Sequence, residues 1–293
     1  MTTRRDLLLA ALAAAWPNAA SDLSVEGYIF QQYAEHQNKP LGEVIPEVLA
    51  MARKAGFKNI ELSPAFFAGK LHETTFAALR AEDLRMPSMY VGGAMHSKAL
   101  ADETIANALE HARMAKPFGC KGIVNNPDPK PGDAAKTYEE LYAEADGLNR
   151  LGHALRAEGF DLRVHHHTPQ LENNAREWRY LLANTNPANV HICVDVDWAY
   201  EGGFDPVEFL REVGDRLREI HVRSARNKIW LEEVTDSDID YRAVAAYLRS
   251  ANLHPLIVVE LAYRPHQTTV TRPLEEDLRR SRLYTEKVLG VTS

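Results

Sequence analysis

The 293-residue chain is 45% hydrophobic and 26% charged, which excludes a disordered polymer and leaves one or two globular domains open. Its 34 Lys and Arg against 41 Asp and Glu give a net charge of −7, with no basic cluster longer than two, which argues against a nucleic-acid partner. Past residue 20 no apolar run approaches the roughly 20 residues needed to span a bilayer, so no membrane partner is expected beyond that point.

The chain opens with Arg4-Arg5 directly before an apolar run, Leu7 to Trp16, followed by small residues at Ala19, Ala20 and Ser21. A charged start, a short apolar stretch and small residues are the layout of a cleavable export signal, and the run is too short for a membrane helix. The paired arginines resemble the twin-arginine signal, which implies export of an already folded protein to the periplasm. Residues 1–20 are therefore expected to be the signal and 21–293 the folded protein. Changing Arg4 and Arg5 to Lys should trap the precursor in the cytoplasm; a native chain that keeps residues 1–20 and stays cytoplasmic would contradict this.

Beyond the signal, short apolar or β-branched runs alternate with longer helical patterns. The expected strands are Val25–Phe30, Asn59–Leu62, Met86–Val91, Gly122–Asn125, Leu162–His166, Val190–Asp195, Glu219–Val222 and Leu256–Glu260. Helical patterns cover Leu41–Ala55, Thr75–Glu82, Asp102–Lys116, Thr137–Glu158, Ala175–Ala183, Pro206–Val213, Tyr241–Ala251 and Leu274–Val288. Asp102 and Glu103 read as first-turn acids, and Asp205 and Asp240 as N-caps. Strict alternation implies parallel strands with right-handed crossovers, and eight such units in about 270 residues is the count of a closed (β/α)8 TIM barrel. No Gly-x-Gly-x-x-Gly follows a strand, so a dinucleotide-binding sheet is not expected. Cys120 and Cys193 start the fourth and sixth strands, about two strand spacings apart, which is too far for a disulfide; buried free thiols are expected.

Barrel chemistry gathers on the loops after the strands. Those positions hold Glu61, His96, Asn125, Asn126, His165-His166-His167, Asp195, Asp197, His221 and Glu260. Strands five to eight thus deliver His, Asp, His and Glu to one rim, a mixed set suited to Mn²⁺, Zn²⁺, Fe²⁺ or Co²⁺ rather than to Mg²⁺ or Ca²⁺. Alternation sends His165 and His167 to one side and His166 to the other. His165 is the first choice of ligand, with His167 as ligand, substrate contact or acid. The same alternation turns Asp195 and Asp197 to one face, and Asp195, closer to the strand body, is the expected ligand.

The chain resembles the xylose isomerase-like TIM-barrel superfamily, in its sugar phosphate isomerase/epimerase and inosose dehydratase-like branch. The likeness rests on Asn59-Ile60-Glu61-Leu62, Val164-His165-His166-His167-Thr168, Val194-Asp195-Val196-Asp197-Trp198-Ala199, Glu219-Ile220-His221-Val222, Asp238-Ile239-Asp240-Tyr241 and Val258-Val259-Glu260. It implies one divalent metal, Mn²⁺ by preference, held by His165, Asp195, His221 and Glu260. Epimerases of this type carry paired glutamates on strands five and eight; His165 replaces the first, as in the dehydratase-like branch. That branch often has His-Leu-Lys-Asp on strand seven, where this chain has His221-Val222-Arg223-Ser224. Arg223 offers a planar fork to a substrate carboxylate or phosphate, or else makes a surface ion pair.

The resulting expectation is proton abstraction beside a metal-polarised carbonyl of a sugar or keto sugar, with Glu260 as base and His167 as acid. Glu61, His96, Asn125, Asp197, Trp198 and Arg223 are expected to contact substrate. The outcome is an epimer, an isomer or an eliminated product, with a lean to dehydration or 3-keto-glycoside elimination. The rival is a non-catalytic periplasmic sugar-binding barrel walled by Tyr28, Phe30, Phe66, Trp198 and Trp230. A homo-oligomer is left open.

Overall fold

The computed structural model describes residues 23–264, 267 and 269–293; the expected export signal lies outside the described residues. Strands β1 (Leu23–Glu26), β2 (Ile60–Glu61), β3 (Ser88–Tyr90), β4 (Gly122–Asn125), β5 (Asp161–Val164), β6 (Val190–Asp195), β7 (Leu217–Val222) and β8 (Leu256–Val259) form one parallel sheet. Its order, β2-β1-β8-β7-β6-β5-β4-β3, runs almost fully around a ring. Parallel bridges Asn59–Arg85 and Leu62–Met89 close the gap, with Ile60 N donating to Arg85 O at 2.8 Å and Tyr90 N to Leu62 O at 3.1 Å. The expected (β/α)8 barrel is the fold.

Around it lie α1 (Tyr28–His36), α2 (Leu41–Lys54), α3 (Leu71–Ala81), α4 (Lys98–Ala115), α5 (Tyr138–Ala157), α6 (Thr168–Asn184), α7 (Val196–Glu201), α8 (Pro206–Val213), α9 (Tyr241–Ser250) and α10 (Leu274–Leu289). The helices follow from apolar faces at helical spacing: α2 buries Val44, Ile45, Val48, Leu49 and Ala52. Val44, Ile45, Val48 and Leu49 each contribute roughly 1.5–3 kcal/mol over the exposed state. Asp205 and Asp240 do cap α8 and α9, accepting from Val207 and Glu208, and from Arg242 and Ala243. Thr137 and Glu140 form a reciprocal capping box on α5. No helix among the described residues is long and apolar enough to cross a membrane.

Several expected boundaries are corrected. Val25–Phe30 is not one strand: the chain turns at Gly27, where an added Cβ would lie 2.8 Å from Leu62, and α1 then buries Ile29 and Phe30. α4 starts at Lys98 under a Ser97 cap, so Asp102 is not a first-turn acid and instead pairs with Lys98 and Arg150. α6 begins at Thr168 but breaks at Glu172–Ala175, where Asn173, Asn174 and Ala175 take left-handed backbone. Besides α1, which falls partly where a strand had been expected, α7, which follows β6 without a loop, and an antiparallel ribbon of Ala225–Arg226 with Ile229–Trp230 had not been expected.

The barrel interior carries a charged layer rather than only aliphatic ones. Arg163 Nη1 meets Glu219 Oε2 at 2.6 Å, and Ser88 Oγ donates to Glu219 Oε1 at 2.9 Å. Gly122 makes the room, since a Cβ there would overlap the Arg163 guanidinium. Cys120 and Cys193 are buried free thiols, and burial pushes both up to about 12.

Candidate functional site

The rim residues of strands five to eight converge. His165 follows β5, its backbone N–H fixed on Asn125 O at 2.9 Å. Asp195 ends β6 and caps α7: Oδ1 accepts from the Asp197 and Trp198 N–H groups at 2.7 and 2.9 Å, leaving Oδ2 3.8 Å from His165 Nε2. A register shift between Ile192 and Cys193 brings Asp195 level with His221 on β7. His221 Nδ1 lies 2.8 Å from Glu260 Oε2. His165, Asp195, His221 and Glu260 are all buried, and each offers an atom within 4.8 Å of the others. Cys193 joins His165 and His221 in an overlapping cluster that the sequence reading did not contain.

The donor set fits a divalent cation. Neither ring nitrogen of His165 nor Oδ2 of Asp195 has a hydrogen-bond partner, and such buried atoms cost roughly 1–3 kcal/mol each when left unsatisfied. Burial drives His165 down to about 3, so its ring is neutral and offers a lone pair. Burial opposes charge on Asp195, yet the His165 ring 3.8 Å away and the nearby Arg223 hold it below the usual carboxylate range. Burial likewise opposes charge on His221, but Cys193 and Glu61 outweigh it and hold His221 well above the ordinary imidazole range.

The three histidines separate as alternation requires. His166 points outward against Trp178 and Phe209, with ring centroids at 4.6 and 5.0 Å. His165 stays in the cluster, and His167 stands on the wall of an adjoining cavity of about 360 Å³. Asn126 Nδ2, which can only donate, faces His167 Nδ1 at 3.3 Å, so the ring proton sits on Nε2. Burial lowers His167 to about 4, making it a neutral N–H donor rather than a cationic acid.

Glu260 forms part of the same cavity wall, one oxygen toward His221 and the other held by the Arg223 guanidinium. Arg223 is buried, so the surface ion pair is excluded. Its guanidinium lies 4.3 Å from the Trp230 ring and 5.6 Å from Trp198, two indoles packed edge to face. Trp198, Trp230 and Tyr28 line the cavity; Phe30 and Phe66 are core residues instead.

The other expected substrate contacts lie elsewhere. Asn125 is fully buried and donates to Val91 O at 2.6 Å. His96 sits on the loop after β3 and is not on the cavity wall. Asp197 turns inward as the first turn of α7, 3.9 Å from Arg223, and burial with Asp195 beside it pushes it up to about 7. Glu61 is one layer down in the barrel, its Oε1 3.1 Å from His221 Nε2. Burial, then Glu219, raise it to about 7.

The sequence reading missed Glu26, Gln31, Ser63 and Tyr90 on the wall. Glu26 ends β1, with Oε2 accepting from Tyr28 N at 2.6 Å, and burial followed by the charge of Glu61 raises it to about 8. It is the same strand-end signal as Glu260, masked because the apolar run continues past Glu26 into α1.

A family model described as "Xylose isomerase-like TIM barrel" matches residues 49–287. An inosose dehydratase of Geobacillus kaustophilus is 26% identical over 212 residues, covering 67% of each chain, and one of Clostridium perfringens is 24% identical over 80% of this chain and 86% of its own. A sugar phosphate isomerase/epimerase structure from Parabacteroides distasonis superposes with a TM-score of 0.70 at 17% identity, covering 95% of this chain and 99% of its own. With that match spanning most of the barrel, the chain belongs to the xylose isomerase-like TIM-barrel family.

Proposed function

We propose that this protein is a sugar-acting, metal-dependent enzyme that removes a proton beside a carbonyl of a sugar or keto sugar. The observation that carries the reading is the convergence of buried His165, Asp195, His221 and Glu260 beside a cavity. The likeness to inosose dehydratases supports the sugar isomerase, epimerase or dehydratase class. These four residues would hold one divalent ion, Mn²⁺ by preference, which when bound polarises the substrate carbonyl as a Lewis acid.

The chain's own groups define the rest. Glu260 is the base at the carbon next to the carbonyl, aimed by its contacts with His221 and Arg223. His167 presents an Nε2–H toward a departing oxygen. Trp198, Trp230 and Tyr28 give the sugar apolar faces to lie against and keep water out. Outside the described residues, Arg4-Arg5 before Leu7–Trp16 supports a periplasmic setting, where free or oxidised glycosides are more plentiful than sugar phosphates.

Among the possible outcomes we favour elimination. Glu260 follows β8 and Glu26 ends β1, neighbouring strands in register at Val25 and Val259, so both cavity carboxyls approach from one side. On the opposite side β5 brings His165 and His167, so among the described residues that line the cavity no second carboxylate stands across from Glu260 to reprotonate the other face. A 3-keto-glycoside, or a keto-polyol with a β-hydroxyl, incubated in D₂O should exchange at the carbon beside the carbonyl and release unsaturated product faster than epimer. Clean epimerisation without unsaturated product would restore the isomerase reading, and no exchange with any carbonyl sugar would count against this enzyme class.

A further inference from the structure

Resting on the metal reading above, we infer that Glu61 is a positioning residue: it accepts a hydrogen bond from the Nε2–H of His221 and so fixes Nδ1 as the nitrogen offered to the metal. A histidine has two nitrogens that can ligate, and the hydrogen bond made by one decides which tautomer presents the other. His221 is held from both ends. Nδ1 lies 2.8 Å from Glu260 Oε2, the rim carboxylate of the cluster. Nε2 faces down the barrel, 3.1 Å from Glu61 Oε1.

Two carboxylates lie below the ring, and only one is uncommitted. Glu219 Oε1 is 3.6 Å from Nε2, but that oxygen already accepts from Ser88 Oγ and its partner oxygen is bound to Arg163. Neither oxygen of Glu61 has a hydrogen-bond partner, nor has His221 Nε2 3.1 Å away, and the Glu61 side chain is fully buried. A carboxylate in that position costs free energy unless something donates to it, and His221 Nε2 is the donor within reach. Arg163 and Ser88 thus anchor Glu219, which leaves Glu61 to complete a carboxylate–histidine–metal line running from barrel interior to rim. Glu61 had been expected at the substrate; its depth assigns it to the ligand instead.

The test uses the purified protein and Zn²⁺ alone. Zinc affinity is measured by chelator competition for wild type, Glu61→Ala, Glu61→Gln and Glu61→Leu, with thermal melts of the metal-free forms to establish folding. Loss of such a partner typically costs about 10–100-fold in affinity, so Glu61→Ala should bind zinc more weakly by that factor. Glu61→Gln keeps an acceptor oxygen and should recover part of it, whereas Glu61→Leu, which fills the space without an acceptor, should not. ¹⁵N-histidine NMR of the zinc form supplies the direct readout: His221 should be ligated through Nδ1 with a protonated, slowly exchanging Nε2, and that proton should exchange faster in Glu61→Ala. Zinc bound through Nε2 in wild type, or equal affinity in folded wild type and Glu61→Ala, overturns the positioning role while leaving the metal reading intact. If Glu61→Ala does not fold, the Gln variant and the wild-type spectrum decide. Failure of wild type to take up zinc overturns the metal reading, and this inference with it.

Discussion

His221→Ala is expected to leave the protein with well under one metal ion per chain after dialysis and with activity reduced by at least about a thousand-fold. Lewis-acid stabilisation is worth several kcal/mol, and about 4 kcal/mol is a thousand-fold in rate. His221 is the centre of the cluster: it shares a contact with Glu260 at 2.8 Å and belongs to every ligand group found among the described residues. Glu260 needs a gentler change. Glu260→Ala would strand the buried Arg223 guanidinium, which holds one of its oxygens, and a buried charge left without its partner costs roughly 3–5 kcal/mol. Glu260→Gln keeps the volume and an oxygen for Arg223, so it should lose metal and activity with a smaller loss of stability. Metal analysis by mass spectrometry, with thermal melts alongside, separates the two effects. Full metal occupancy in both His221→Ala and Glu260→Gln would refute the ligand assignment.

Much of this site could be read from sequence because a barrel turns chain order into spatial order. His165, Asp195, His221 and Glu260 each end a strand-like run, and a closed parallel sheet delivers such positions to one rim. What stayed hidden depended on features that leave little trace in residue type. The depth of Glu61 depends on stagger: β2 pairs Glu61 with Glu26, two strands away from His221, and barrel shear sets the levels of such distant neighbours. Trp230 reaches the cavity on a ribbon whose turn residues, Asn227 and Lys228, both take left-handed backbone. The usual mark of that turn is a glycine, and Lys228 stands where it would be. Asp195 and Asp197 were compared by strand alternation, but the chain enters α7 at Val196, so helix geometry sets where Asp197 points. Arg163 and Glu219 sit mid-strand, where charges ordinarily face solvent; Gly122, which admits the guanidinium, was the only hint.

That interior pair leads to the largest expected change in stability. Glu219→Ala should destabilise the protein by about 3–5 kcal/mol, because it leaves Arg163 charged, buried and without its 2.6 Å partner in the barrel. The guanidinium cannot escape by losing its proton, since its charge persists at any ordinary pH. Asp161 is 3.9 Å away and half in solvent, too far to replace Glu219. A double variant, Glu219→Leu with Arg163→Met, removes both charges together and should recover most of the loss, as buried ion pairs replaced by apolar residues of similar volume often do. Ser88 would then lose its acceptor, a cost of about 1 kcal/mol that the double variant retains. Urea unfolding of the two single variants and the double gives the coupling between them. A loss under about 1 kcal/mol for Glu219→Ala would mean that the pair is not sealed from water. The same series bears on the site: Glu219 also lies 3.6 Å from His221 Nε2 and, after Cys193 and Glu61, is among the neighbours that favour the protonated ring. The double variant should therefore fold nearly as well as the wild type yet hold zinc more weakly, placing the charged layer in service of the rim rather than of the fold.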